Sequence, residues 1–223
     1  MPWQVSVHHQ GNERHPVVVI DEFADAERFR EDASFLSFSA VGPHYPGVRA
    51  PVAHRMLAPL LDQLEPIVRD VFGPGQLQIV DAFYSLVTTP PERLAAIQRL
   101  PHFDEVSLSR LALLHFLSPD ETSGTGFYRH RATGMEAVES NRLAAYREAL
   151  DADLRRHGLP GPGYIAGDTP IFEQVALHQG RFNRALLYRS STLHCAHIPD
   201  GIPLAADPLR GRLTVNTFLD LRP

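Results

Sequence analysis

A chain of 223 residues with 43% hydrophobic and 21% charged positions falls in the ordinary globular range, long enough to bury about 70–75% of its unfolded surface without disulfides or a structural metal. The balance of 21 Lys and Arg against 26 Asp and Glu, a formal charge of -5, excludes the broad basic footprint that nucleic acid or an anionic membrane would need. Small molecules or proteins are the expected partners, and a homo-oligomer is left open. The lone Cys195 rules out an internal disulfide, no apolar run approaches the roughly 20 residues of a membrane span, and the start Met1-Pro2-Trp3-Gln4 lacks a basic or apolar leader region, which together predict a cytoplasmic protein.

In chain order, the β-branched run over residues 17–23 predicts a strand, and Asp25 stands where a helix N-cap should stand, opening a short helix to about residue 38. Residues 42–49 read as an irregular rim or lid loop because of their prolines and glycines. Leu57, Leu60, Leu61, Leu64, Ile67, Val68, Val71 and Phe72 recur at three- and four-residue spacing. They predict an amphipathic helix kinked at Pro66 and ended by Gly73-Pro74-Gly75. Both helices are expected to buttress a sheet.

From residue 76 the texture changes to short strands over 77–87, 111–117, 126–130, 185–189 and 213–219, with one inserted helix over 135–157 that Gly158 should stop. This order predicts an α+β, mainly β, single domain over residues 1–223. Residues 1–76 would form a helical buttress region and 77–223 a β-barrel or sandwich core.

The chemistry begins at His102-Phe103-Asp104. In an extended segment residues two apart face the same way, so the imidazole and the carboxylate converge while Phe103 turns aside. With 12 histidines in the chain such a triplet arises easily by chance, and its weight comes from position. A second cluster, His194-Cys195-Ala196-His197, follows the strand at 185–189, where a strand end would hold His194. Two imidazoles and one carboxylate on one face of an octahedral iron leave three places open, enough for a bidentate 2-oxo acid and dioxygen. Such an acid needs a cation for its far carboxylate, and arginine's planar fork suits it. Arg212, Thr214 and Asn216 alternate with Leu213, Val215 and Thr217 on the last strand, giving it one polar face that a ligand or solvent would explain.

His102-x-Asp104, distal His194 and the strand Arg212-Leu213-Thr214 resemble the 2-oxoglutarate-dependent non-haem iron oxygenases, especially their prolyl-hydroxylase-like branch. The similarity covers residues 77–219. It implies a double-stranded β-helix, or jelly roll, with Fe(II) held by His102, Asp104 and His194 at its open end. It also implies a salt bridge from Arg212 to the co-substrate 2-oxoglutarate, Thr214 as a supporting donor and Tyr84 as a further hydrogen-bond partner. Gly124-Thr125-Gly126 looks like the family's glycine-led strand. The loop between His194 and Arg212 is longer than usual for the family, which leaves Arg210 as reserve for Arg212, and His197 competes with His194. Because Asp104 is present, the resemblance favours hydroxylation over halogenation, on a small molecule, amino acid or peptide. The rival readings are a cupin-like metalloprotein that does not use 2-oxoglutarate and a non-catalytic binding protein on the same barrel. His115, inside an apolar run, reads as a hydrogen-bonded core histidine. His130, Arg129 and Arg131 read either as substrate contacts or as a solvated strand end. Tyr45 and Arg49 are plausible substrate contacts, and Cys195 is a packing residue.

Overall fold

The computed structural model describes residues 2–119, 123–202 and 204–222. Its elements in chain order are β1 (Gln4–Gln10), β2 (His15–Asp21), α1 (Ala26–Ser34), β3 (Ser39–Ala40), β4 (Gly47–Pro51), α2 (His54–Phe72), β5 (Gln76–Val87), β6 (Arg110–Phe116), β7 (Gly124–His130), α3 (Leu143–His157), β8 (Phe172–Gln179), β9 (Ala185–Arg189), β10 (His194–His197) and β11 (Leu213–Arg222), with short 3₁₀ turns at Pro91–Arg93 and Ala96–Arg99. The strands form a large sheet in the order β1-β2-β9-β6-β11-β5-β4-β3 and a small one in the order β10-β7-β8. Every pairing is antiparallel. The described residues are therefore mainly β, with three α-helices.

Two-residue alternation decides which side chain enters which layer. Val18 and Ile20 of β2 face one core while Val17 and Val19 face the other, so the strand is apolar throughout. On the outer face of the large sheet, α2 buries Leu64, Val68 and Phe72 against β2, β6 and β11. On the same side α1 sets Phe29 against Tyr84, Leu86 and Val215. Each fully buried side chain of this kind contributes about 1.5–3 kcal/mol. The Asp25 carboxylate accepts from the Arg28 amide at 3.2 Å, which caps α1 as its side chain predicts.

The inner face of the large sheet meets the small one through Ala112, Leu114, Phe116, Leu186 and Tyr188 against Phe127. The next residue on β7, Tyr128, points the other way and packs with Tyr146 of α3. The inserted helix thus lies outside the small sheet. Gly158, at φ 75°, ends it with its amide donating to the Leu154 carbonyl at 3.0 Å.

Several elements depart from the sequence reading. The region 1–76 contains four strands beside its two helices, and β1 and β2 extend the large sheet. Strand β1 is exposed along nearly its whole length, so although Val5 and Val7 alternate with Gln4, Ser6 and His8, the run has no buried apolar face. The expected loop at 42–49 ends in β4, which runs beside β5. Gly47 opens that strand because a Cβ there would stand 1.9 Å from the Leu86 carbonyl oxygen. Pro59 and Pro66 both lie inside α2. The inserted helix starts at Leu143 rather than 135, because residue 137 is engaged in a bridge to Thr192. No helix among the described residues is long and apolar enough to cross a membrane.

Candidate metal centre

Three backbone contacts build the site before any metal is considered. The His102 amide donates to the His194 carbonyl and the His194 amide to the His102 carbonyl, both at 2.8 Å. The Asp104 amide donates to the Ser190 carbonyl at 2.8 Å. The segment 102–104 thus lies as an extended strip along the chain leaving β9 and entering β10, and alternation turns His102 and Asp104 to one side. Phe103 turns toward α3, its ring 6.0 Å from that of Tyr146 in an edge-on contact.

Asp104 sits between the two imidazoles. Its Oδ1 lies 3.7 Å from Nε2 of His102 and its Oδ2 lies 3.5 Å from Nε2 of His194. One ligand atom from each of the three residues falls within 4.8 Å of the others. Neighbouring ligands on an octahedral ion with bonds of about 2.1 Å lie about 3 Å apart, so a small contraction would close the triad on a cation. Nδ1 of His194 is 2.8 Å from the Thr192 carbonyl oxygen. That oxygen can only accept, so Nδ1 carries a proton, and Nε2 is the nitrogen turned to the site.

The surroundings favour the metal-binding form of the histidine. Withdrawal from bulk water holds the His102 imidazole well below its ordinary range, with the neighbouring His194, Arg49 and His44 acting in the same direction. Its side chain is nonetheless 52% accessible, because it opens onto a cavity rather than onto packed protein. Burial pushes the Asp104 carboxyl up, opposed by His194 and Arg49. Tyr188 packs edge-on against the His194 ring at 5.0 Å, and burial holds its phenol protonated beside Asp104.

The cavity has a volume of about 780 Å³ and includes all three triad residues. Arg212, Thr214 and Asn216 line it from the large sheet. Arg212 is buried, donates from Nη2 to the Gly124 carbonyl at 3.1 Å and lies 5.7 Å from the Phe116 ring centroid. The Thr214 hydroxyl donates to Oδ1 of Asn216 at 2.9 Å. Gly124 lets β7 approach β8 closely: a Cβ there would stand 2.5 Å from the His178 carbonyl oxygen.

The reserve candidates fall away. Arg210 is on the surface, its side chain 83% accessible and 3.8 Å from Asp207. His197 does not line the cavity. Tyr84 is a correction: its side chain is fully buried on the helix side of β5, with its hydroxyl donating to Asp32 at 2.9 Å. The register pairs Tyr84 with Val215 and Ser85 with Thr214, so the tyrosine faces away from the cavity. His115 is a core residue, with Nε2 3.1 Å from Asn183 Oδ1 and burial lowering its pKa to about 4. His130 is neither substrate contact nor strand-end solvation. It is buried, with Nε2 3.2 Å from Asp153 of α3. Arg129 is bound to Glu136 and Glu173, and Arg131 to Asp168. Burial pushes the Cys195 thiol up to about 12, which keeps it an unreactive packing group.

Tyr45 and Arg49 do line the cavity, joined by residues the sequence did not single out: His44, Thr125, Arg147, Tyr164 and Tyr188. Tyr164 comes from a glycine- and proline-rich loop and is anchored by its hydroxyl donating to the Thr89 carbonyl at 2.7 Å. Nothing in its local sequence shows that long-range contact. Tyr188 follows from alternation along β9, once its inner face is known.

Residues 1–219 match the family described as a family of unknown function, DUF6445. The chain belongs to this family. No curated protein matches this DUF6445 protein. Among solved structures it is similar to the non-haem alpha-ketoglutarate-dependent epimerase SnoN from nogalamycin biosynthesis, with a TM-score of 0.55, 13% identity, and coverage of 95% of this chain and 82% of SnoN. The complex of SnoN with Fe3+, alpha-ketoglutarate and nogalamycin RO gives a TM-score of 0.50 at 16% identity, covering 95% of this chain and 83% of that one. HygX from Streptomyces hygroscopicus with iron bound gives 0.52 at 14% identity, covering 94% and 83%. At these identities the likeness is one of fold.

Proposed function

We propose that this DUF6445 protein is an Fe(II)- and 2-oxoglutarate-dependent oxygenase on a double-stranded β-helix, hydroxylating a small molecule. The observation that carries the reading is the convergence of His102, Asp104 and His194 at a cavity that also presents Arg212 and Thr214. The iron and alpha-ketoglutarate in similar folds support it, and the narrower prolyl-hydroxylase-like assignment rests on the sequence motifs alone.

In this reading His102, Asp104 and His194 hold the iron. When bound there, iron supplies dioxygen activation, with oxidative decarboxylation of 2-oxoglutarate providing two electrons. The Thr192 carbonyl fixes the His194 tautomer and aims Nε2. The Arg212 guanidinium receives the far carboxylate of 2-oxoglutarate, and the Thr214 hydroxyl, turned from Asn216 to the ligand, adds a donor. Tyr188 and Phe116 wall these groups from bulk water, which strengthens each charge interaction. A cavity of about 780 Å³ suits a ligand of drug-like size.

Anaerobic addition of iron(II) and 2-oxoglutarate to the purified chain tests the proposal. A visible charge-transfer band of the chelated complex is expected. Arg212→Ala should weaken 2-oxoglutarate at least about tenfold while sparing iron, since a charge-assisted pair is lost. Absence of a band in the wild-type chain overturns the reading and favours a metalloprotein or binding protein that does not use 2-oxoglutarate.

A further inference from the structure

The charges lining the cavity are unequal. Among the described residues, Arg49, Arg147 and Arg212 face it against one carboxylate, Asp104, in a chain whose overall formal charge is -5. On the reading proposed above, a divalent metal with Asp104 and a dianionic 2-oxoglutarate with Arg212 cancel one another. Arg49 and Arg147 are left over, and neither forms an ion pair among the described residues.

Arg49 is held as a receptor would be. Its Nε donates to the Ser85 hydroxyl at 3.1 Å, and its guanidinium lies 4.2 Å from the Tyr45 ring centroid and 5.5 Å from that of Phe83. These contacts fix the plane of the fork, and among the described residues its terminal nitrogens have no hydrogen bond. Burial works against the charge, with Tyr45 and Asp104 as its electrostatic support. Asp104 would be engaged by the metal, so the compensation Arg49 lacks would have to come from a ligand. Arg147 is exposed on α3 at the cavity's edge. Much of the remaining wall is apolar and includes Ile97, Leu100, Phe103, Leu150 and Ile165.

We propose that Arg49 and Arg147 form an anion receptor, so that the substrate of this site is a small organic acid whose carboxylate or phosphate head meets Arg49 and whose apolar body lies against that wall. The inference rests on the oxygenase reading for the roles of Asp104 and Arg212, and it adds the substrate's chemical class. Arginine suits such a head because its planar fork offers two parallel donors. The cation–π contact with Tyr45 orients it in advance of binding.

The test is calorimetric binding to the chain loaded with nickel(II) and 2-oxoglutarate, which does not turn over. The probes are 4-phenylbutyrate and indole-3-acetate, each against its neutral amide, with phenyl phosphate against phenol to distinguish the two heads. At least one anion should bind ten times or more tighter than its neutral counterpart. Arg49→Gln should reduce that preference to near unity, Arg49→Lys should keep part of it, and Arg147→Gln, at an exposed position, should reduce it a few-fold without disturbing the fold. The proposal is overturned if no anion outbinds its neutral partner, if Arg49→Gln keeps the preference, or if Arg49→Gln instead loses 2-oxoglutarate. Failure of the wild-type chain to take up metal and 2-oxoglutarate would sink the oxygenase reading instead. The same probe pairs on the metal-free chain, whose two arginines are unchanged, would then decide the anion receptor by the same outcomes.

Discussion

On the helix side of β5, β6 and β11 stand Tyr84, Leu86, Leu111, Leu113, Leu213 and Val215, packed against α1 and α2. The opposite side of the same strands presents Thr214 and Asn216 to the cavity and the Ser85 hydroxyl to Arg49. One backbone therefore carries a dry face that stabilises the fold and a wet face that offers chemistry, separated by a step of one residue. A one-residue slip in register would exchange them, which is why dense apolar packing on the helix side also fixes the position of the polar groups.

The largest effect expected from the dry face is on stability. Leu64→Ala, which removes a fully buried side chain of α2, should cost about 2–5 kcal/mol in urea unfolding. Metal affinity of the folded variant should stay at the wild-type level. A comparable loss of metal affinity would mean that the two faces are not separable.

His115 sharpens the comparison through pH. Burial lowers its pKa to about 4 from 6.5, so the folded chain binds its proton less readily than the unfolded one. Its contribution is fully present above about pH 6.5 and is lost as pH falls toward 4, an effect of up to about 3 kcal/mol. Unfolding measured across that window should show wild-type stability declining with acid, and His115→Gln should decline less. Identical slopes would contradict the placement of an uncharged histidine in the core.

The smallest effect separates two neighbours on paired strands. Tyr84→Phe removes the hydroxyl bonded to Asp32 and should cost about 1–2 kcal/mol of stability with no change in 2-oxoglutarate affinity. Thr214→Val should do the reverse, weakening 2-oxoglutarate binding with little change in the unfolding midpoint. Weaker co-substrate binding in Tyr84→Phe would place the tyrosine at the cavity after all.

This last pair also shows where the sequence stops being legible. The triad could be read because His102-x-Asp104 exploits a local two-residue period and His194 follows a strand with an evident apolar run. Arg212 was readable from its alternation with Leu213. Tyr84 was misread because its face depends on the register between β5 and β11, a pairing of residues far apart in the chain. Strand β1 was passed over because its alternation is short, Val5 and Val7 among Gln4, Ser6 and His8, and both valines stay exposed. The strip that lays 102–104 along His194 and Ser190 is held by backbone hydrogen bonds, which leave no mark on side-chain identity. The surplus of arginine in the cavity was hidden too, because Arg49, Arg147 and Arg212 come from β4, α3 and the approach to β11.

The account turns on one metal held by three side chains, and anaerobic iron(II) titration followed by elemental analysis measures that directly. One iron per wild-type chain is expected, with affinity falling about 100-fold or more in both His102→Ala and His194→Ala while the metal-free variants unfold at the wild-type midpoint. Retention of wild-type iron affinity by either variant would contradict the triad as the metal centre.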